Sequence, residues 1–260
     1  MKVFSFRNIR ILILLGLLAS AVIYTQEQKR NTTSWYKPIN VMIFPINGDG
    51  QAATQEYINN LSAADFQDID FFFARSSRDY QLIAEQPVIT QLGSTISNIP
   101  PSPPESGSHI IATIWWSLKL RYWAYQNTPD TLSNKDRIRL YVLYHQVNGK
   151  QSLAHSLGLQ KGLIGVIHAY ASAKQSQQNA VVMTHEILHT VGASDKYDAN
   201  NLPVHPVGYA EPDREPLHPQ RYAEIMAGRI AIDHHKAKMP DSLRAVKVGK
   251  ATAREINWIQ

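Results

Sequence analysis

The chain has no cysteine. Disulfides, thiolate metal ligands and a lipid-modified cysteine are therefore all excluded, and any metal must be held by nitrogen or oxygen. A basic surface is also missing, although the formal net charge is +5. Residues 1–21 carry Lys2, Arg7 and Arg10 and no acid, so the remainder has 23 Lys and Arg against 21 Asp and Glu, or +2. With no lysine–arginine stripe in that remainder, a nucleic-acid partner is unsupported. There is no internal repeat and no long linker. About 230 residues beyond the N-terminal segment suit one domain with a substantial core.

The most conspicuous apolar run is Ile11 to Tyr24, 14 residues behind the basic Lys2, Arg7 and Arg10. It is shorter than the roughly 20 residues that span a bilayer comfortably as a helix. Ala19-Ser20-Ala21 offers a small-x-small cleavage site. Residues 1–30 therefore read as a signal peptide, with a short signal anchor as the alternative because Val22-Ile23-Tyr24 extends the run. Both place the bulk of the chain outside the cytoplasm, periplasmic or secreted, or held at the membrane by residues 9–24.

The chemistry is concentrated in Asn179–Tyr197, NAVVMTHEILHTVGASDKY. His185-Glu186-Ile187-Leu188-His189 is an H-E-x-x-H motif, which arises by chance in roughly one such chain in a hundred. Residues four apart share a helix face, so both imidazoles reach one metal ion. Glu186 sits about 100° around the helix from His185, beside the metal but outside its ligand set. Its carboxylate is placed to act as base on a water held by the metal, which is the arrangement a zinc hydrolase needs. No proline interrupts Gln177–Thr190, and apolar Val181, Val182, Ile187 and Leu188 fall at helical spacing. Gly192 suits a left-handed helix terminus, after which Asp195 is placed as an oxygen ligand. Other candidates for the third ligand are His205, His218, His234 and His235, or a downstream glutamate, Glu211, Glu215 or Glu224.

The extended pattern from His185 to Asp195, H-E-x-x-H-x-x-G-x-x-D, resembles the metzincin clan of zinc peptidases. It is most similar to the minority whose third ligand is aspartate, as in snapalysin-type enzymes. Ala223-Glu224-Ile225-Met226-Ala227-Gly228 resembles the methionine turn of that clan, with Met226 following His189 by 37 positions. The resemblance covers residues 185 to about 230 and does not reach the first 130 residues. No tyrosine stands two residues after Met226, which leaves Tyr197 and Tyr222 as candidates for stabilising a transition state. The resemblance implies an α+β zincin-like domain over 31–260, with Zn²⁺ held by His185, His189 and Asp195. It further implies Glu186 as catalytic base, Met226 as the floor of the site, and a peptide or protein substrate. A gluzincin-like hydrolase with a glutamate ligand is one alternative. A metal-stabilised domain that binds peptide or cell-envelope partners without turnover is the other.

Elsewhere the pattern predicts strands at Asn40–Ile46, Arg137–Val147 and Gly162–Ala171, with turns at Asn47-Gly48-Asp49-Gly50 and Asn148-Gly149. Helices are expected from Gln51 to about Leu61 and, capped by Ser108, to about Gln126. The apolar stripe of the latter, Ile110, Ile111, Ile114, Trp115, Leu118 and Tyr122, reads as core. Phe71-Phe72-Phe73 fits either a strand or a buried helix. Pro100–Pro104 is a stiff connector, and Tyr197–Pro219 is irregular. Asp241–Gln260 reads as a strand or turn followed by a terminal helix. In zincin-like folds the strand ahead of the metal helix borders the cleft, so the 162–171 strand is expected to offer its edge to substrate. His168 on that strand either faces the cleft or is structural.

Overall fold

Strand formation begins at Ile39, just after Pro38, where β-branched and other apolar residues become frequent. In the computed structural model, which describes residues 5–105, 107–128, 137–147 and 153–259, five strands form one mixed sheet. They are β1 (Ile39–Asn47), β2 (Val88–Leu92), β3 (Arg137–His145), β4 (Leu157–Leu159) and β5 (Ile164–Tyr170), in the order β2-β1-β3-β5-β4. All pairings are parallel except β4 with β5. Lys2 and the expected Asn148-Gly149 turn lie outside the described residues.

Alternation along the strands separates two cores. Val41, Ile43, Ile138, Leu140, Val142 and Ile167 face one side, and Met42, Phe44, Tyr141, Leu143, Ile164 and Val166 the other. Both faces are covered, which is why the central strands read as nearly continuous apolar runs. The first face carries α2 (Ala52–Asn59), α3 (Gln67–Asp79) and α5 (Ser176–Thr190). The Phe71–Phe73 run belongs to α3: Phe72 and Phe73 are buried and Phe71 points out, as a 3.6-residue period requires. The second face carries α4 (Ile110–Asn127), with Leu120 and Ala124 buried and Trp123 edge-on to Tyr141 at 4.8 Å.

Three sequence expectations are corrected. The α4 stripe is not core, because Ile110, Ile111, Ile114, Trp115, Leu118 and Tyr122 are each more than half exposed. Periodicity identifies an apolar face but not its partner; the face that packs is the one bearing Leu120 and Ala124. Ser108 does not cap this helix, whose N-cap is His109 with no side-chain bond. Finally, the edge of β5 is narrower than expected: β3 pairs with one side and β4 covers only Ile164–Val166 of the other, so that Ile167–Tyr170 run on past β4. Over Ile164–Val166 the outer edge belongs to β4, whose three residues are too few to show a period.

The chain enters the sheet from α1 (Phe6–Thr33), a 28-residue helix that continues well past the apolar run through Gln26–Thr33. Its hydropathic window has a mean of 1.9 and is uncovered, while Gln28, Thr32 and Thr33 at its foot are buried. By length and composition it meets the requirements of a membrane span and equally of a signal sequence. Beyond α5 the chain is irregular as far as two small ladders, Ala223–Glu224 with Val246–Lys247 and Ile230–Ala231 with Ala237–Lys238. It then forms a terminal helix, α6 (Lys250–Glu255).

Candidate metal centre

Helix α5 is tied to the sheet where it begins. The Asn179 side chain takes the amide of Tyr170 at 3.1 Å and donates to its carbonyl at 2.9 Å, fixing the helix against the end of β5. Apolar Val181, Ile187 and Leu188 then bury one face, which leaves His185, Glu186 and His189 under the edge strand. β4 crosses here closely. A Cβ on Gly158 would come within 2.5 Å of the Glu186 carbonyl and 2.8 Å of the His189 Cβ, so only glycine permits the approach.

The helix ends in a Schellman motif, the Gly192 amide bonding His189 O at 3.1 Å and the Ala193 amide Leu188 O at 3.0 Å. Gly192 has φ +110°, a conformation that L side chains rarely adopt. The reversal returns Asp195 to the two histidines, with its Oδ1 3.1 Å from His185 Nε2 and 3.2 Å from His189 Nε2. Among the described residues this is the one group of three candidate ligands with converging atoms, all within 4.8 Å.

The outer nitrogens fix how these rings present themselves. His185 Nδ1 is 2.9 Å from Ile225 O and His189 Nδ1 2.9 Å from Ala193 O. A carbonyl only accepts, so each Nδ1 donates, and a neutral ring then turns its Nε2 lone pair inward. Two Nε2 atoms and a carboxylate oxygen converging at this distance repel one another unless a proton or a metal cation lies among them. For zinc–ligand distances near 2.0–2.1 Å, a tetrahedral edge is about 3.3 Å, close to the spacings found. The donor set therefore fits zinc in number, type and spacing.

Burial opposes ionisation of Asp195, but the two imidazoles outweigh it and hold its carboxyl well below the usual carboxylate range. Glu186 is 5% exposed and pushed up by burial, with the histidines working in the other direction. Its Oε2 is buried without a hydrogen-bond partner. A carboxylate oxygen kept dry and unpaired beside such a cluster suits a proton acceptor better than a structural role. Tyr197 lies parallel to His185 at 6.4 Å, and its phenol is raised to about 12 by burial and by its bond to Asp195. Tyr222 is not at the site; its ring lies under Lys247 Nζ at 4.2 Å.

Two networks invisible in the sequence hold this geometry. Lys196, next to Asp195, is buried and bonds Ser194 O at 2.8 Å and both Glu255 oxygens at 2.8 and 2.7 Å, while its amide bonds Met226 O at 3.0 Å. Glu224 is fully buried. Its oxygens accept from the amides of Met226 (2.6 Å), Ala227 (3.0 Å) and Gly249 (3.0 Å) and from Thr252 Oγ1 (2.7 Å). It is thus the brace of the 223–228 turn, whose Ile225 carbonyl orients His185. An x-Glu-x-Met run carries no signal that would have revealed this role.

The alternative ligands lie elsewhere. Glu211 pairs with Arg221, Glu224 is spent on its four donors, and Glu215 is exposed outside the cluster. His205, Tyr209, His218 and His234 make a separate aromatic row, with the Tyr209 hydroxyl 2.9 Å from His218 Nε2. Met226 is fully buried in the same core as Ile187 and Leu188. His168 lines a cavity of about 360 Å³ beside His185 and Glu186, with Tyr170, Gln178, Arg229 and Met239, and its Nδ1 meets His145 Nε2 at 3.0 Å.

This placement yields a ranking. Asp195→Ala is expected to weaken zinc binding roughly ten-fold or more, since it removes the one oxygen in the cluster. His205→Ala and His218→Ala are expected to leave affinity unchanged. Competition with a chromogenic chelator orders the three variants, and a histidine variant weaker than Asp195→Ala refutes the ligand set. No protein-family model matches the chain, and no curated protein matches it in sequence.

Proposed function

We propose that the chain is an exported zinc-dependent metallopeptidase. The observation that carries the reading is the convergence of the two Nε2 atoms and the Asp195 oxygen beside the Glu186 carboxylate, whose Oε2 is buried without a hydrogen-bond partner. The parallel sheet with its antiparallel edge strand packed over the H-E-x-x-H helix supports it, as does the metzincin-like pattern from His185 to Met226.

His185, His189 and Asp195 would hold the metal. Zinc bound there supplies a Lewis acid that acidifies a water and polarises the scissile carbonyl. Glu186 takes the proton from that water and delivers it to the leaving amine. Its burial raises its proton affinity towards the range useful for that exchange. The free edge of β4 offers backbone donors and acceptors to an extended peptide, running directly over Glu186. The neighbouring cavity takes a side chain of that peptide. A role without turnover is disfavoured, because a purely structural zinc site has four protein ligands and no use for a base.

The test is hydrolysis of a mixed fluorogenic peptide library by the purified protein. Activity is expected to disappear with a zinc chelator and to return on adding zinc. Hydrolysis that persists under chelation refutes the metallopeptidase reading.

A further inference from the structure

The uncovered part of α4 has a direction. Thr128, just after the helix, meets the Tyr141 hydroxyl at 2.8 Å at the middle of β3. Two turns earlier, Arg121 donates to Lys161 O at 3.1 Å, just ahead of β5. The helix therefore points, read backwards, to the N-terminal ends of the parallel strands, and its first turns run on beyond them. Residues 109–115 are exposed on every side, among them Ile110, Ile111, Ile114 and Trp115, with Leu118 one turn on. A contiguous apolar tip of this kind marks an interaction surface.

The same end of the sheet receives α1, which hands over through Ser34–Pro38 to the first residue of β1. Exposed Glu27, Glu85 and Glu105 also lie towards this end, but none is within α4. No Asp or Glu occurs in α4, which carries Lys119 and Arg121 behind the tip, and Lys119 Nζ lies over the Trp115 ring at 5.6 Å. At the foot of α1, Arg30, Lys37 and the exposed Tyr36 line a cavity of about 550 Å³. An apolar tip backed by Lys, Arg and Trp or Tyr matches the acyl boundary of a bilayer and its anionic headgroups.

We propose that Ile110–Leu118 is a membrane-docking element, seated in the surface of an anionic lipid bilayer beside the point where α1 enters it. This rests on reading α1 as an anchor. The body is then fixed to the membrane at two places, which orients its cleft as well as tethering it.

The absence of cysteine makes the test clean. Single variants Leu14→Cys, Ile111→Cys and Gln51→Cys of the full chain are labelled with an environment-sensitive fluorophore. They are then reconstituted in phosphatidylcholine–phosphatidylglycerol vesicles with brominated acyl chains. Gln51 is exposed at the opposite end of β1. The Ile111 label should lose about half its emission relative to Gln51, as for a side chain held roughly 5–10 Å into the headgroup–acyl boundary, and Leu14 should lose more. Quenching at Leu14 but not at Ile111 overturns the docking proposal and leaves the anchor standing. Quenching at neither overturns both. Concentration-dependent shielding of Ile111 without vesicles makes the face a contact between copies and overturns the bilayer assignment.

Discussion

Replacing Glu186 with alanine is expected to cut peptide hydrolysis by roughly 10²–10⁴-fold, the usual contribution of a positioned acid–base group. The zinc content should not change, because the Glu186 carboxylate is absent from the cluster formed by His185, His189 and Asp195. Nor should the fold suffer. Glu186 Oε2 has no hydrogen-bond partner to lose, and removing a buried carboxylate relieves a desolvation cost. The variant thus separates chemistry from binding, with turnover falling while metal affinity and stability hold. Loss of zinc from Glu186→Ala would make that residue a ligand, and unchanged turnover would remove it from the mechanism.

The second large effect is expected at a residue that touches neither metal nor substrate. Glu224→Ala leaves the amides of Met226, Ala227 and Gly249 and the Thr252 hydroxyl without an acceptor in a site closed to solvent. Each buried donor so orphaned costs about 1–3 kcal/mol. The total should exceed about 3 kcal/mol, a large share of the 5–15 kcal/mol by which a domain is stable. The 223–228 turn then loosens and Ile225 O no longer orients His185, so zinc affinity should fall too. Glu224→Gln keeps the shape but turns an amide NH₂ towards donors, and should lie between. Urea unfolding of the zinc-free protein, with chelator competition on the folded fraction, measures both effects. A Glu224→Ala variant as stable as the parent contradicts the bracing role.

What could be read from the sequence was local. The H-E-x-x-H helix, its glycine terminus and the return of Asp195 all follow from spacing over eleven residues, because helix geometry and the needs of a C-terminal cap are short-range rules. The main strands were legible for the same reason. The 71–73 phenylalanines were not, since a short apolar run fits a strand or a helix until a partner selects one. The α4 stripe misled because amphipathicity says nothing of which face meets protein. The three residues of β4 were too short to register, so their cover over Ile164–Val166 of β5 was not foreseen. Glu224 and the Lys196–Glu255 pair were beyond reach, as their partners lie up to 59 residues away and are set by the tertiary fold.

The most direct test of the central claim is an anomalous difference map recorded at the zinc edge from crystals of the protein purified without chelators. The account predicts one strong peak within about 2.0–2.2 Å of His185 Nε2, His189 Nε2 and an Asp195 carboxylate oxygen, with Glu186 outside bonding distance. A folded protein with no peak there, or a peak bound by other residues, contradicts it.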